Sequence, residues 1–250
     1  MKKKAAGEET KIKYVGKCLL IESGGERILV VGDLHLGYEE ALNRTGVLVG
    51  RKMFDEMISD LNAVFGEVGK VDKVVLLGDV KHDFGGISKQ EWKDVNAILD
   101  YFESMSGGVV VVKGNHDNIL EPILKKRKMK LLGVYIWNGF AFLHGDEDYE
   151  EVWGKKTDTI VVGHGHPAVR LNEPKGIKSE KYKCFLVGKF KGKEMIVVPS
   201  FIDFYVGSDP REDEMVMAWD VNWRNFDVKI VSESDESMDA LDFGKLKRLK

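Results

Sequence analysis

The sequence predicts an α/β protein, arranged as a layered α-β-β-α sandwich of two mixed sheets with helices outside. Short runs rich in Val, Ile and Leu, bounded by Gly or polar residues, are typical of strands buried on both faces. Five such runs lie at residues 28–31, 74–77, 109–112, 140–143 and 159–162. Helical periodicity lies between the early runs and fades after residue 130, so an α/β half precedes a β-rich half.

Three helices are expected in the first half. Residues 51–65 carry apolar side chains at helical spacing, and residues 88–102 do the same. The second of these helices opens with Ser88 and Glu91, the spacing of a capping box. Pro122 is expected to open a third helix, since proline is favoured at the first helical position.

The second half is predicted to be mainly strands. Strand-like stretches lie at residues 184–187, 195–198, 215–221 and 226–231. No Pro/Ser-rich linker divides the chain. We therefore expect one domain over residues 11–231, preceded by a flexible tail at 1–10 and followed by a charged tail at 232–250.

Composition excludes several classes of protein. The 250 residues are 43% apolar and 32% charged, which is not the composition of a disordered chain. A formal net charge of −3 argues against a general polyanion binder. The longest aliphatic runs are too short to span a bilayer, and no apolar segment follows the basic N-terminus, so we expect a cytoplasmic protein with no membrane partner.

Each of the five buried strands is followed at once by His, Asp or Asn beside Gly. The segments are GDLH, GDVKHD, GNHD, HGD and GHGH, and together they contain all six histidines of the chain. Open α/β sheets form their binding crevices at the carboxyl ends of strands. Asp33 and His35, two residues apart, would point to one side of an extended backbone, as would His164 and His166.

These residue types predict a metal centre. Imidazoles, carboxylates and one amide form a nitrogen/oxygen donor set, which suits Mn, Fe, Zn, Co or Ni better than Mg or Ca. The donors are too many for one ion and suit two. We therefore expect two divalent ions, with manganese as the first choice and iron, zinc, cobalt or nickel as alternatives.

The series DLH, GDxxH, GNHD, HG and GHGH, from Asp33 to His166, resembles the calcineurin-like metallophosphoesterase superfamily. The longer segments GDLHLG, LLGDVKHDFG and VVPSF resemble its archaeal and bacterial group that includes the DNA-ligase-associated phosphoesterases. The resemblance implies a dinuclear metal-dependent phosphoesterase, in which a hydroxide bridging two ions attacks phosphorus.

The resemblance also implies a role for each site residue. His116 would lie beside the substrate phosphate without binding metal, and Asp117 would support it as its partner or as a helix cap. The implied ligands are Asp33, His35 and His166 for the first ion, Asp79 for both ions, and Asn115, His144 and His164 for the second.

One position separates branches of the superfamily. In its phosphoprotein phosphatases, the third residue after the bridging aspartate is an aspartate that orients the catalytic histidine. Here that residue is His82, as in the double-strand-break-repair nucleases, and Asp83 lies one step further as a possible substitute. His82 is therefore a second catalytic candidate that favours phosphodiester cleavage. The alternative is a loop histidine that caps a neighbouring carbonyl.

The predicted function is a phosphodiesterase or nuclease, whose partner is a phosphate ester such as a nucleic acid or nucleotide. Two alternatives stay open: a phosphomonoesterase acting on a small metabolite or phosphoprotein, and a non-catalytic scaffold stabilised by metal. The aromatic residues Phe201, Phe204 and Tyr205 either stack a base or pack on the core or its rim. The sequence predicts neither a protein partner nor an oligomeric state.

Overall fold

The computed structural model of the protein describes residues 10–172, 179–232 and 238–249. Apart from Thr10, the expected N-terminal tail lies outside these ranges, as do parts of the expected C-terminal tail. None of the helices described combines the length and the apolar character that crossing a bilayer requires.

The first sheet has six strands whose spatial order follows the chain. The first three form an antiparallel meander, and the third to the sixth run parallel. The strands are β1 (Lys11–Val15), β2 (Cys18–Ser23), β3 (Glu26–Val31), β4 (Lys73–Leu76), β5 (Val109–Val112) and β6 (Leu131–Leu132).

In the described part of the chain, the second sheet has eight strands. They are β7 (Val134–Trp137), β8 (Phe140–Leu143), β9 (Thr159–Val162), β10 (Ala168–Asn172), β11 (Ser179–Phe190), β12 (Lys193–Val197), β13 (Asp227–Ile230) and β14 (Leu241–Lys245). The spatial order is β14-β13-β11-β12-β9-β8-β7, and β10 pairs with β11. Strands β8, β9 and β12 are parallel, whereas the remaining pairs are antiparallel. The predicted α/β class with two mixed sheets is confirmed.

Four α-helices connect the strands of the first sheet. They are α1 (Tyr38–Arg44), α2 (Met53–Val68), α3 (Lys89–Met105) and α4 (Glu121–Lys126). Helices α2, α3 and α4 correspond to the three expected, and α3 begins with the predicted capping box. Helix α1 was not predicted, since its seven residues contribute no buried side chain and so carry no apolar stripe.

The continuous apolar runs are explained by burial of both strand faces. In β3, Ile28 and Val30 face the second sheet, where they pack with Phe142 and Phe185. Leu29 and Val31 point the other way, into the core beneath the helices. A third core lies on the outer face of the second sheet. There the described residues that pack on it belong to 3₁₀ turns and irregular segments, so α2, α3 and α4 form the helical layer on one side only.

The predicted strand at residues 215–221 is wrong. Met215, Trp219 and Val221 are buried on the outer face of the second sheet, which explains the apolar alternation. The segment has no strand partner, and the Ala218 amide donates instead to the carbonyl of Gly145. The alternation of apolar residues in this segment therefore arises because its side chains pack against the face of the sheet. It does not arise from hydrogen bonding to a neighbouring strand.

Part of the segment expected to be a charged tail is docked on the second sheet. Strand β14 pairs with β13 along its length, with a bulge between Val228 and Lys229. The following Leu246 is buried in the outer core. Lys245 of β14 and Asp227 of β13 form an ion pair at 2.6 Å, so at least one charged residue of this segment contacts the neighbouring strand.

Candidate metal centre

The five sequence motifs converge on one site at the carboxyl ends of strands from both sheets. His144, which follows β8 of the second sheet, donates from Nδ1 to the carbonyl of Leu77 after β4 of the first sheet, at 2.7 Å. The Phe201 amide donates to the carbonyl of Gly32, at 2.9 Å, and joins the sheets a second time. Asp33, Asp79 and His144 are buried where the sheets meet.

A first group consists of Asp33, His35 and His166, whose ligand atoms all lie within 4.8 Å of one another. His166 Nε2 lies 3.2 Å from Asp33 Oδ1 and 3.4 Å from His35 Nε2. These three residues are the ones that the resemblance implies for the first ion.

A second group consists of Asp79, His144 and His164, again with all ligand atoms within 4.8 Å. His144 Nε2 lies 3.3 Å from Asp79 Oδ2 and 3.0 Å from His164 Nδ1. Asn115 adjoins this group, because its Oδ1 lies 3.1 Å from His144 Nε2. The structure therefore brings together all four residues implied for the second ion.

The two groups share a border at Asp79. Its Oδ2 lies 3.7 Å from His35 Nε2 of the first group and 3.3 Å from His144 Nε2 of its own. Across the same border, Asp33 Oδ1 lies 3.7 Å from His144 Nδ1. Asp79 is thus placed where one carboxylate can reach both groups.

The sequence spacing suggested an extended backbone in these loops, but several of their residues have left-handed backbone conformations. Asp33, His35, Asp79, His164 and His166 have φ values of 48°, 45°, 49°, 59° and 41°. Such conformations are uncommon outside glycine, and they persist where surrounding contacts hold them, often at functional sites.

Two glycines let the loops approach closely. A Cβ on Gly78, which has a φ of +87°, would lie 2.7 Å from both His144 Nδ1 and the Gly114 nitrogen. A Cβ on Gly114 would lie 2.2 Å from Asp79 Oδ1. The glycine before Asp79 and the glycine before Asn115 are therefore required because neither position has space for a Cβ.

Buried opposite charges set the electrostatics of the site. Burial raises the pKa of Asp79 and of Asp33, but the neighbouring histidines outweigh burial and lower both. Burial lowers the pKa of His144, but Asp79 and Asp33 outweigh it and raise the pKa to about 10. Burial lowers the pKa of His35 to about 3, so this imidazole is neutral and free to bind a cation.

The donor set fits divalent cations. Among the residues that the structure describes, the ion pairs of Asp33 and Asp79 are all with histidines. Imidazole nitrogens also face one another, as between His144 and His164. Converging nitrogen and carboxylate lone pairs without a lysine or arginine partner suit metal ions of the Mn, Fe and Zn type.

His116 lies against Asp79 with its ring orientation fixed. Its Nδ1 donates to the carbonyl of His82, and its Nε2 lies 3.8 Å from Asp79 Oδ2. Asp117, the partner expected from sequence, is directed elsewhere: its carboxylate accepts from the amides of Val80 and Gly114, each at 3.0 Å. Nor is Asp117 the cap of α4, whose N-cap is Leu120.

Asp117 therefore supports the backbone of the two loops that carry Asp79 and Asn115. Burial, together with the nearby Asp79 charge, raises the pKa of Asp117 to about 7. The backbone amides that it accepts from act in the opposite direction.

His82 and Asp83 occupy the rim of the site. His82 Nδ1 lies 3.4 Å from His35 Nδ1, and with His116 these residues form a third cluster of potential ligand atoms. Asp83 accepts from Arg44 Nη1 at 3.0 Å and from the Gly85 amide, so Arg44 and not His116 is its side-chain partner.

Sequence reasoning missed several residues around the site. Lys81 is buried, and its Nζ donates to the Asp83 carbonyl. Tyr38 and Phe84 contact the rings of His82 and His116. Their only sequence signal is that each closely follows a histidine motif. Of the three aromatic residues singled out, Phe201 packs in the core, whereas Phe204 and Tyr205 are exposed near the site.

The family model described as calcineurin-like phosphoesterase matches residues 26–232, a range that contains both groups. The chain belongs to this family. It is accordingly a hydrolase that acts on phosphate esters, and the predicted class of enzyme is confirmed. The family is metal-dependent, and the ligand atoms of the His/Asp groups described above are close enough together that they could hold metal.

The fold is similar to that of nuclease MPE from Pseudomonas putida, with 16% identity, a TM-score of 0.57 and coverage of 89% of this chain and 96% of that chain. Zinc-bound Vps29 from Entamoeba histolytica is 15% identical over 87% of this chain and 99% of that chain, with a TM-score of 0.36. The E. coli phosphoesterase Yfce is 14% identical over 82% and 88%, with a TM-score of 0.37. Comparison with curated proteins found no match.

Proposed function

We propose that this protein hydrolyses phosphodiesters, including those of nucleic acids or nucleotides, with two divalent metal ions. The observation that carries the proposal is the pair of Asp–His–His groups that meet at Asp79, with His116 Nε2 facing their border. Two adjoining donor groups around one carboxylate suit paired ions, and paired ions suit in-line displacement at phosphorus.

In this proposal each group holds one ion, with manganese as the first choice. The residues that would hold the ions are Asp33, His35 and His166 for the first, Asp79 for both, and Asn115, His144 and His164 for the second. When bound, the ions would stabilise charge on the phosphoryl group and lower the pKa of water toward about 7. Asp33 and Asp79 would hold the positively charged ions at the place where the two sheets meet.

His116 would act as a general acid. Its Nδ1–H is held by the His82 carbonyl, which leaves Nε2 directed at the border between the groups. As an imidazolium, His116 can donate its Nε2 proton to the ester oxygen that leaves. His82 would help by positioning His116 through its carbonyl and by lying against its ring, 5.3 Å between centroids.

The preference for diesters is supported by the residues that surround His116. The position that holds an aspartate in the phosphoprotein phosphatases is His82, and Asp83 is bound by Arg44 and cannot replace that aspartate. The flanking motifs also support membership of the DNA-ligase-associated group, and the fold similarity to a nuclease is compatible with it. A cytoplasmic location, expected from the sequence, is part of the same proposal.

The test compares two aryl phosphates. Protein treated with chelator and reloaded with Mn²⁺ is assayed on bis(p-nitrophenyl) phosphate and on p-nitrophenyl phosphate. We expect kcat/KM to be higher for the diester, and an Asp79→Asn variant to lose activity on both. A clear preference for the monoester would overturn the diesterase assignment. No turnover of either ester by protein that holds two metal ions would favour the scaffold alternative.

A further inference from the structure

We infer that exposed aromatic rings beside the candidate metal centre stack on unpaired bases, so that the protein selects single-stranded nucleic acid over duplex. The inference rests on the proposed function, and it names the substrate class of that site. The rings concerned, called the rim aromatics, are those of Phe84, Phe204 and Tyr205, and the half-buried Tyr38 packs beneath them.

Two of the rim aromatics end a continuous row of rings. Tyr205 lies 5.7 Å from His166, measured between ring centroids, and His166 lies 5.2 Å from His35. His35 lies 4.9 Å from His116, and His116 lies 3.6 Å from Phe84. Three site histidines thus separate an aromatic ring at one end from an aromatic ring at the other. A phosphodiester held over the histidines would have a ring available on either side.

The rim aromatics are open to a ligand. Phe84 is 53% exposed, Phe204 is 49% exposed and Tyr205 is 44% exposed. Large aromatic side chains are usually buried, and a cluster of exposed ones indicates an interaction surface. Here the cluster is continuous with the catalytic site, so its occupant is a part of the substrate. Flat apolar groups next to a phosphodiester are nucleobases.

Contacts within the protein support Phe204 and the backbone of Tyr205 before any ligand arrives. Tyr38 packs between His82 and Phe204, with ring centroids 4.6 Å and 5.3 Å away. The buried ammonium of Lys183 donates to the Tyr205 carbonyl at 2.8 Å and to Ser200 Oγ at 2.7 Å. A rigid aromatic surface binds at a lower cost in conformational entropy than a mobile one.

The charges beside the rim aromatics favour stacking over phosphate binding. Arg44 is paired with Asp83 at 3.0 Å, and Lys181 is paired with Asp213 at 3.0 Å. Cations that bind phosphates carry much of the affinity for any nucleic acid, and these two cations already have carboxylate partners. Duplex bases are also stacked on one another and cannot reach a protein ring, whereas unpaired bases can.

The experiment measures binding by the metal-loaded protein, so that it does not depend on hydrolysis. The probes are fluorescein-labelled ten-nucleotide thymidine strands with hydrolysis-resistant phosphorothioate links, the same backbone with abasic sites throughout, and a duplex of equal length. Fluorescence anisotropy gives the three Kd values. We expect the base-bearing strand to bind at least about fivefold more tightly than either of the other two.

Substitutions locate the effect. Phe84→Leu and Tyr205→Leu should each reduce the ratio of abasic to base-bearing Kd at least about threefold, because leucine keeps apolar volume without a flat ring. The matched control is Phe243→Leu, an aromatic residue of β14 that is 40% exposed at the edge of the second sheet, and it should keep the ratio of the unsubstituted protein.

Equal Kd values for base-bearing and abasic strands, or tighter binding of the duplex, would overturn the inference. So would a ratio that falls equally in the Phe243 control. Failure of the proposed function is seen separately: it is the loss of diester hydrolysis in the assay above, whatever strands the protein binds. Hydrolysis of the aryl diester without a base preference would contradict the stacking inference alone.

Discussion

Backbone carbonyls orient two histidines of the site. His144 and His116 each donate from Nδ1 to a carbonyl, of Leu77 and of His82 respectively, and each directs Nε2 toward Asp79. The hydrogen bond on one imidazole nitrogen determines what the other can do. Their chemistry therefore depends on how neighbouring loops are placed, and no carboxylate partner is needed to orient them.

His116→Ala should lower kcat on the aryl diester by at least about 10², because a positioned general acid contributes about that much. The variant should still bind two metal ions, since His116 lies outside the two groups proposed to hold them and belongs only to the third cluster, with His35 and His82. Steady-state kinetics and metal analysis of dialysed protein check both parts. Unchanged turnover would remove His116 from the mechanism, and loss of metal would make it a ligand.

At the scale of elements, the beginning of α3 is hydrogen-bonded to the loop that carries His82 and Asp83. Ser88 Oγ accepts from the Glu91 amide, and Glu91 Oε2 accepts from the Ser88 amide, at 3.0 Å and 2.7 Å. The other oxygen of Glu91 accepts from the Asp83 amide at 3.0 Å, next to His82. The capping box therefore stabilises a helix and a segment of the site at once.

Ser88→Ala should lower the free energy of unfolding by about 1 kcal/mol, the usual cost of losing an N-cap side chain. Ser104→Ala is the matched control, because Ser104 lies near the end of the same helix, where its Oγ donates to the carbonyl of Tyr101. Urea denaturation of both variants gives the two values. Equal losses for the two serines would contradict a specific role of the cap.

The segment that follows Tyr205 is anchored by Asp209. Its carboxylate accepts from the Arg170 amide at 2.7 Å and pairs with the Arg211 guanidinium at 2.7 Å. Burial raises the pKa of Asp209, but Arg211 and the backbone amides outweigh burial, so the pKa is lowered overall. The Ser208 amide, one residue earlier, donates to the His166 carbonyl, which links this anchor to the site.

A lowered pKa in the folded state means that ionised Asp209 stabilises the fold above its unfolded pKa of about 4, and that this contribution is lost as the pH falls through the folded value. Asp209→Asn should therefore cost about 1.5–3 kcal/mol at pH 7. The difference from the unsubstituted protein should shrink below about pH 4. Urea denaturation across this pH range measures it, with the exposed Asp220→Asn as control. A difference that does not change with pH would exclude an ionic role.

At the scale of the whole molecule, the candidate centre joins the two sheets. Asp33 and Asp79 follow strands of the first sheet, whereas His144, His164 and His166 follow strands of the second. Without cations, the buried carboxylates are balanced by the surrounding imidazoles, above all His144. Ions bound by both sets would add to the packing that holds the sheets together.

Metal should therefore stabilise the fold. With Mn²⁺ at about 100 times its Kd, each site contributes about 2.7 kcal/mol, which corresponds to a rise in Tm of about 5–10 °C for a chain of this size. Thermal unfolding with chelator and with added Mn²⁺ measures the shift. Asp79→Asn should reduce it, whereas Ser104→Ala should retain it. A Tm that is the same with and without metal would contradict two sites built from both sheets.

Local pattern was sufficient for features that depend on local chemistry. The capping box of α3 follows from Ser88 and Glu91, and the buried strands follow from continuous apolar runs. Local pattern was insufficient where a side chain packs against, or is hydrogen-bonded to, residues far away in the chain. The apolar alternation in residues 215–221 came from the face of a sheet, and the partner of His116 is the carbonyl of a residue 34 positions earlier.

The amino-acid sequence by itself determined the α/β class, the family of phosphate-ester hydrolases and the histidine, aspartate and asparagine residues that end five strands. The family resemblance also implied two groups of ligands that share Asp79. Only the tertiary structure gave the distances between their atoms, and it alone decided that Asp117 accepts from backbone amides and that Arg44 is the side-chain partner of Asp83. The physical reason is that residue type and spacing limit which atoms can bind a cation. Which of those atoms meet depends on left-handed loops and on contacts between two sheets, and these are set by residues far apart in the chain.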